Sequence, residues 1–388
     1  MPPGTRSLIA HCRAGFEPET AADLRRLAAE LREEITVDAP AGRGFVTGSI
    51  DRLDTASLAR AFSRSPPIFA RSVFSAAGPH ALFDPRAGTG RPDRVGPLVE
   101  LIEQQVHAGQ HASDSPPHPS QPYDTLRLET PDTNEGKALS RLTRSLEARL
   151  ANELATRGLL RGPHQSEATE QSAQHLHVLF ADGAHAYVGT SAAPWASRWT
   201  MGIPRLRMPG RAPSRSTLKL AEAFVVFLHG RELELLRAGM RAVDLGAAPG
   251  GWTWQLAQRG MRVTAVDNGP LKGEVRDDPL VTHLRADGLT YLPKRPVQWM
   301  VCDIVEQPSR IAALVGRWIG EGHARHAIFN LKLPMKKRYD EVRRCETIIR
   351  EALAKARIEH TLELRQLYHD REEVTGYVES AGMMPRRR

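Results

Sequence analysis

The chain has 388 residues, a formal net charge of +8 and a sequence pI near 9.7. This length exceeds the core of one ordinary domain, so we expect two or three domains. The basic balance suits a polyanionic partner, either a nucleic acid or an anionic membrane surface. Composition does not choose between these two partners.

Several classes of protein are disfavoured at this stage. The sequence contains no run of about 18 apolar residues, which argues against a transmembrane helix. Cys12, Cys302 and Cys345 lie far apart and form no CxxC pair, so we expect no disulfide framework and no metal site. The first residues lack the apolar stretch of a signal peptide. We therefore expect a cytoplasmic protein without a membrane attachment.

The first half of the chain has the alternation of short strands and helices that is typical of small α+β modules. Leu24, Leu27, Ala28 and Leu31 recur at the spacing of one helix face. Residues 108–122 are rich in Pro, Ser, His and Gln, and we predict a mobile loop there. The predicted elements are strands at 7–12, 45–50, 125–128 and 175–180 and helices at 17–32 and 135–157.

Beyond about residue 200, strand-like apolar runs alternate with helical stretches, which predicts βαβ units around a parallel sheet. Ligands of such sheets bind beside the carboxyl ends of the strands. We therefore place the chemistry of this protein in a doubly wound α/β domain over 200–388. The predicted strands are 242–245, 263–267, 299–303, 327–331 and 373–378.

The first strand of this domain leads into a turn of small residues, 246–251. Such a turn lets the backbone approach a ligand closely, and its glycine spacing differs from the GxGxxG pattern, so a dehydrogenase is disfavoured. Asp267 ends the second strand and suits the ribose hydroxyls of a nucleoside, while Asp287 follows the third. We predict S-adenosylmethionine as cofactor. The predicted contacts are Ala248, Pro249, Gly250, Gly251, Trp252, Asp267 and Asp287.

Amines and acids occur at three further places. Lys219 precedes the first strand, Asp303 ends the fourth, and Lys332 lies in the apolar run 330–334. A ribose hydroxyl becomes a nucleophile when a base takes its proton, and a lysine serves if burial or a nearby cation lowers its pKa. Either Glu372 or Glu373 completes the set. A snorkelling lysine at a strand end is the alternative for Lys332.

The sequence favours an oxygen over a carbon or a nitrogen as the atom that accepts the methyl group. Methyltransferases that modify a base carbon use a cysteine nucleophile, but Cys302 lies in an apolar strand without a Pro-Cys motif, which favours a buried core thiol. The sequence also lacks the Asn/Asp-Pro-Pro-Tyr motif of enzymes that methylate an exocyclic nitrogen.

At these residues the chain resembles the FtsJ-like 2′-O-ribose RNA methyltransferases. The resemblance is strongest over 201–205, 212–220, 299–303, 328–339 and 366–375, and weaker over 13–17 and 132–135. It implies a Rossmann-like methyltransferase domain at 200–388, preceded by a ferredoxin-like domain at 1–65 and a THUMP RNA-binding domain at 66–190. It also implies methylation of one cytidine in the peptidyl-transferase loop of 23S rRNA, either free or in an assembling large subunit, by a protein that we expect to be monomeric.

The resemblance further implies a catalytic set of Lys219, Asp303, Lys332 and Glu373, with Lys332 as proton acceptor. Ser214 and Asp303 join the predicted cofactor contacts. Basic residues beside these positions are candidates for RNA phosphate contacts: Arg205, Arg207, Arg211, Arg215, Lys336, Lys337 and Arg338. Two alternatives stay open, a methyltransferase of another RNA such as tRNA, and a non-catalytic RNA-binding protein with a retained Rossmann domain.

Overall fold

The computed structural model describes residues 7–50, 55–84, 86, 92–110, 123–161, 173–193 and 195–381. The chain divides into two compact units, Met1–Ile203 and Pro204–Arg388, called here the N-terminal and C-terminal units. Within the described residues no helix has both the length and the apolar character needed to cross a membrane.

The N-terminal unit contains one seven-stranded sheet with the order β2-β3-β1-β4-β7-β6-β5. Its strands are β1 Ser7–His11, β2 Thr36–Asp38, β3 Phe45–Ser49, β4 Ser72–Ala81, β5 Thr125–Glu129, β6 Gln174–Phe180 and β7 His185–Ala192. Its helices are α1 Glu17–Leu31, α2 Thr55–Arg64, α3 Val95–Gln110 and α4 Asn134–Thr156. Because β4 pairs with both β1 and β7, the sheet continues across the predicted boundary at residues 65 and 66.

A buried carboxylate anchors the end of this unit to its sheet. Glu129, in β5, lies within hydrogen-bonding distance of His11 and His177, at 3.2 and 3.0 Å. Its other oxygen accepts the backbone N–H of Met201 at 2.8 Å. All of these side chains are almost fully buried, where an unpaired carboxylate would be costly. The network therefore fixes the short helix Thr200–Gly202 against the sheet.

The C-terminal unit contains a second seven-stranded sheet with the order β10-β9-β8-β11-β12-β14-β13. Its strands are β8 Arg241–Leu245, β9 Arg262–Val266, β10 Val281–Leu284, β11 Val297–Cys302, β12 Ala324–Lys332, β13 His360–Arg365 and β14 Glu373–Ser380. Its helices are α5 Thr217–Phe227, α6 Glu232–Leu235, α7 Gly251–Ala257, α8 Pro308–Gly320 and α9 Arg338–Lys355. The first five strands of this list are parallel, whereas β14 runs antiparallel to both β12 and β13.

This order is that of a doubly wound, Rossmann-like sheet, as the alternation of strands and helices predicts. The central strand β11 is buried along almost its whole length, which is typical of a strand covered by helices on both faces. Carboxyl ends of β8, β9, β11 and β12 meet at one edge. The turn 246–251, Asp267, Asp303 and Lys332 all lie at that edge.

The bounds of the predicted helices and strands agree with the structure to within about three residues. The predicted loop at 108–122 differs. Helix α3 continues to Gln110, so the first three residues of the predicted loop 108–122 are helical. Apolar residues of α3, including Leu98, Val99 and Ile102, pack into a buried cluster with α4 and β6. This packing stabilises the body of the helix, and its last turn enters a segment whose composition alone favours a loop. Residues 111–122 lie outside the described part of the chain.

A glycine in β14 leaves room for an aromatic ring. Gly376 is the register partner of Phe329 in β12, and a Cβ at this position would overlap the Phe329 ring and lie 2.8 Å from Leu364 Cδ2. Phe329 is fully buried and cannot move away without displacing its neighbours.

We predict that Gly376→Ala lowers the unfolding free energy of the C-terminal unit by about 1–3 kcal/mol, because it overpacks the core. Denaturant unfolding followed by tryptophan fluorescence measures the change. Gly210→Ala, where a Cβ meets nothing within 4 Å, is the control and should leave the midpoint unchanged. An unchanged midpoint for Gly376→Ala would contradict the prediction.

Candidate active site

Two lysines and two carboxylates meet at the carboxyl edge of the second sheet. The ammonium of Lys332 donates to Asp303 Oδ1 at 2.5 Å and to Glu373 Oε2 at 2.7 Å. Lys219, from the first turn of α5, donates to both oxygens of Glu373, at 2.6 and 2.7 Å. Its nitrogen also lies 3.8 Å from Asp303 Oδ2. The structure thus brings together all four residues of the predicted catalytic set.

Strand register explains why these side chains meet. Lys332 at the end of β12 is the register partner of Glu373 at the start of β14. Asp303 follows β11, which pairs with β12 in parallel. The choice between the two glutamates follows from the same register. Glu372 is exposed and pairs with Arg338 at 3.4 Å, whereas Glu373 contacts both lysines.

Burial and neighbouring carboxylates have opposite effects on the pKa of Lys332. Burial alone lowers the pKa of its ammonium, but the adjacent carboxylates of Asp303 and Glu373 outweigh burial and raise the pKa above its ordinary value. For Glu373, burial raises the pKa, but Lys332 and Lys219 outweigh it and the pKa is lowered. The ligand-free site therefore does not meet the condition of a lowered pKa under which a lysine serves as a base. Lys332 is a protonated amine in this state.

Three polar residues beneath this cluster were missed by the sequence analysis. The Asn330 amide donates to Asp303 Oδ1 at 3.0 Å and to Glu373 Oε2 at 2.9 Å. Its carbonyl oxygen accepts the Thr375 hydroxyl at 2.8 Å, and this hydroxyl lies 2.9 Å from Asp370 Oδ2. All three side chains are fully buried. A polar Asn330 two residues before Lys332 in an apolar strand was the available signal, since alternate residues share a face.

The carboxyl group of Asp370 is buried near two other carboxylates. Burial first, and then the negative charges of Glu373 and Glu222, raise the pKa of its carboxyl group well above the ordinary value. Glu222 in turn accepts the backbone N–H groups of Tyr368 and His369, at 2.8 and 2.9 Å. These contacts tie the turn before β14 to α5. Both lysine-bearing elements are therefore fixed relative to Glu373.

The predicted cofactor turn has the backbone conformation that requires glycine. Gly246 and Gly250 have φ angles of +77° and +113°, in the region that other residues rarely adopt. Asp267 accepts the backbone N–H of Ala248 at 2.9 Å and that of Gly269 at 2.7 Å. A carboxylate has about four acceptor positions, so Asp267 retains capacity for hydroxyl groups. Its hydrogen bonds also hold the turn open at the strand edge.

The remaining predicted cofactor residues differ in their accessibility. Asp287 is exposed, and Ser214 lies beside Gly251, where its hydroxyl contacts that of Ser216 at 2.7 Å. For Trp252, only the backbone stays a predicted cofactor contact. Its indole is buried in the core and donates to the Ser216 carbonyl at 3.0 Å, so it packs α7 against α5. Its side chain is not available to a cofactor.

Cys302 is a core thiol, as the sequence analysis favours. It is fully buried at the end of β11, and burial raises the pKa of its thiol to about 12. A cysteine nucleophile acts as the thiolate, so this residue is unsuited to attack on a base carbon.

The candidate RNA-contacting side chains are mostly exposed. Arg205, Arg207, Arg215, Lys336 and Lys337 are exposed. Arg211 lies 3.5 Å from Glu274, and Arg338 pairs with Glu372, so these two cations are partly neutralised. The other five remain candidates for phosphate contacts.

The fold and this site define the protein as an FtsJ-like methyltransferase. The family model described as FtsJ-like methyltransferase matches residues 212–353. The models for the RlmM ferredoxin-like domain and for the N-terminal region of ribosomal RNA large subunit methyltransferase M match residues 5–74 and 93–192.

Two relatives named ribosomal RNA large subunit methyltransferase M, from Azoarcus sp. (strain BH72) and Methylococcus capsulatus, are each 46% identical to this chain. The alignments cover 96% of this chain and 95% and 98% of the relatives. The chain therefore belongs to the ribosomal RNA large subunit methyltransferase M family. Among solved structures, fibrillarin from Aeropyrum pernix with natively bound S-adenosyl-L-methionine aligns loosely, with 15% identity and a TM-score of 0.31 over 55% of this chain and 85% of its own.

We predict that Glu373→Gln lowers the pKa of the Lys332 amine by about one pH unit, because it removes a negative charge that stabilises the ammonium. NMR titration of ¹³C-labelled lysine side chains, with Lys332 assigned from a Lys332→Arg variant, measures this pKa. The control is Glu372→Gln, which changes the neighbouring exposed carboxylate and should leave the Lys332 resonance unaffected. Equal effects of both substitutions would argue against the assignment of Glu373 to the site.

Proposed function

We propose that this protein transfers a methyl group from S-adenosylmethionine to the 2′-hydroxyl of one cytidine in the peptidyl-transferase loop of 23S rRNA. The main support is the position of Lys332. Its amine lies between two carboxylates at the carboxyl edge of a Rossmann-like sheet, the edge that also carries the glycine turn. Family membership supports ribosomal RNA as the substrate class, and the net charge of +8 suits a polyanion.

The residues at the strand edge fit the cofactor. When bound, the cofactor supplies an electrophilic methyl group on a sulfonium cation. Small residues of the turn 246–251 allow close backbone approach, and Asp267 has free acceptor capacity for ribose hydroxyls. Asp287 follows β10, and Asp303 follows β11. Both carboxylates provide further acceptors for the hydrogen-bond donors of the cofactor. The cofactor is cationic and rich in hydrogen-bond donors, so it is complementary to these three aspartates.

The proton of the ribose hydroxyl goes to Nζ of Lys332. Since this amine is protonated in the ligand-free site, it must first release a proton to water. Lys219 assists this release, because a second cation held by Glu373 disfavours charge on Lys332. Asp303 and Glu373 orient both amines, and Asn330 fixes the two carboxylates from below. The attacking oxygen and the base are then held together, which accounts for part of the rate enhancement.

The set of four charged residues also favours an enzyme over a non-catalytic RNA-binding protein. Two cations and two anions that are mostly withdrawn from water cost free energy to assemble. A protein that only binds RNA gains nothing from an arrangement in which the four side chains are only 12–21% exposed. Exposed cations would serve binding equally well.

We predict that Lys332→Ala lowers kcat for methyl transfer by at least about a thousandfold, because general base catalysis and orientation are lost together. Binding of S-adenosylmethionine, measured by calorimetry, should stay within about threefold of the wild type. Lys355→Ala, at the exposed end of α9, is the control and should retain full activity. A fully active Lys332→Ala variant would exclude the proposed mechanism.

We also predict that tritiated methyl transfer distinguishes the RNA substrate. The wild-type protein should label a 23S rRNA fragment that contains the peptidyl-transferase loop and leave purified tRNA unlabelled. Mapping of ribose methylation in rRNA from cells with and without the gene identifies the nucleotide. Labelling of tRNA alone would show that the enzyme modifies another RNA.

A further inference from the structure

Two apolar side chains flank the catalytic cluster and face solvent. Among the described residues, the large apolar side chains that are exposed are Met208, Leu233, Leu292, Val305 and Met335. Val305 and Met335 are exposed by 85% and 95%, well above Met208 and Leu292. Val305 follows Asp303 by two residues, and Met335 follows Lys332 by three. Exposed apolar side chains concentrated beside a reaction centre indicate a ligand-binding surface.

Both side chains belong to short, anchored connections. Residues 303–307 join β11 to α8, and residues 333–337 join β12 to α9. Because β11 and β12 are parallel neighbours, both connections leave the sheet at the edge that carries Lys332. β11 ends at Cys302, opposite Phe329, so its connection begins three residues before that of β12. Val305 and Met335 therefore lie on neighbouring segments that follow two residues of the catalytic cluster.

The first connection is fixed by its contacts with the cofactor turn. Asp303 donates its backbone N–H to the Leu245 carbonyl at 3.1 Å. Ile304 packs directly over two glycines, since a Cβ on Gly246 or Gly288 would lie within 3 Å of its side chain. This packing holds the backbone in place while Val305 faces outward. The exposure of Val305 is thus a property of an ordered segment.

The second connection is held at both ends. Leu333 donates its backbone N–H to the Glu372 carbonyl at 2.8 Å. At the other end, Lys337 adopts a left-handed conformation, with φ of +56°, where α9 begins. Met335 lies at the centre of this five-residue segment, followed by the exposed cations Lys336 and Lys337. An apolar contact and a phosphate contact are therefore available within three residues.

We propose that Val305 and Met335 hold the base of the acceptor nucleotide after it has left the RNA stack; this inference rests on the proposed function. The 2′-oxygen and the base are attached to neighbouring carbons of one ribose. An oxygen placed at Lys332 therefore brings its base within reach of the side chains on either side. A valine and a flexible methionine thioether suit the apolar faces of a nucleobase.

A paired acceptor does not suit this surface. In an RNA duplex the 2′-hydroxyl is accessible in the shallow minor groove, but the faces of the bases are covered by their stacked neighbours. Such a substrate would present hydroxyl and phosphate groups to Val305 and Met335 and would leave them without an apolar partner. An unstacked nucleotide presents both faces of its base. The apolar side chains therefore select a single-stranded acceptor.

The test uses a double variant, Val305→Thr with Met335→Gln, which keeps the side-chain sizes and removes their apolar character. Methyl transfer is measured on an RNA oligonucleotide with the acceptor-loop sequence. A second oligonucleotide has an abasic ribose with an intact 2′-hydroxyl at the acceptor position. A third sample contains the first oligonucleotide annealed to its complement. Leu233→Gln, at a side chain that is 93% exposed on α6, is the matched control.

We expect the double variant to lower kcat/KM on the unpaired RNA by about three- to tenfold, the order of a contact between a methionine sulfur and an aromatic ring. The variant and the wild type should be equal on the abasic RNA, and S-adenosylmethionine affinity should be unchanged in both. The wild type should lose at least about tenfold in kcat/KM on the annealed RNA. Leu233→Gln should match the wild type on every substrate.

Three results would overturn the inference. They are an unchanged kcat/KM for the double variant on unpaired RNA, an equal loss on the abasic RNA, and full wild-type activity on the annealed RNA. In each of these cases the wild type still methylates RNA and the proposed function stands. Absence of methyl transfer by the wild type to any RNA would instead refute the proposed function, and this inference with it.

Discussion

The pairing of β12 with β14 is the constraint on which the site depends. It places Lys332 opposite Glu373 and Asn330 opposite Thr375. Because side chains in a strand alternate between faces, these four lie on one side of the sheet. Asp303 reaches the same place from the parallel strand β11, and Lys219 from α5. Residues separated by as many as 154 positions therefore form one cluster only when the register is correct.

The cluster is stable because each charge has a partner and a fixed orientation. A partly buried ion pair gains little net free energy, but removal of one partner leaves an uncompensated charge that is costly. Here each ammonium has a carboxylate partner, and Asn330 links the carboxylates to Thr375 and Asp370 below. The same carboxylates raise the pKa of Lys332. The contacts that stabilise the ligand-free site therefore oppose loss of a proton from Lys332, which the proposed mechanism requires.

The sequence was sufficient for much of the fold, because the parallel strands are apolar runs bounded by small or acidic residues. The strand-end positions of Asp267, Asp303 and Lys332 follow from those runs, and resemblance to a family supplied the grouping with Lys219. Other features depend on packing between distant segments. The interior role of Trp252, the helical end of α3 and the choice of Glu373 over Glu372 each follow from a tertiary contact.

Electrostatic properties were the least accessible to sequence reasoning. An apolar environment around Lys332 favours a lowered pKa, but the final direction depends on carboxylates that only the folded chain brings within 3 Å. Asn330 had a visible signal, as a polar residue within a buried strand. The hydrogen bonds from Asn330 to both carboxylates depend on the pairing of distant strands, so the sequence does not show them.

The turn at residues 366–372, between β13 and β14, cannot change in length by a single residue without consequences for chemistry. A deleted residue that shifted β14 by one position would present Val374 to Lys332 and turn Glu373 to the opposite face. The contacts of Glu222 with Tyr368 and His369 oppose such a shift by fastening the turn to α5. Natural or engineered deletions at this turn should therefore be rare, even though it joins two strands at the rim of the sheet.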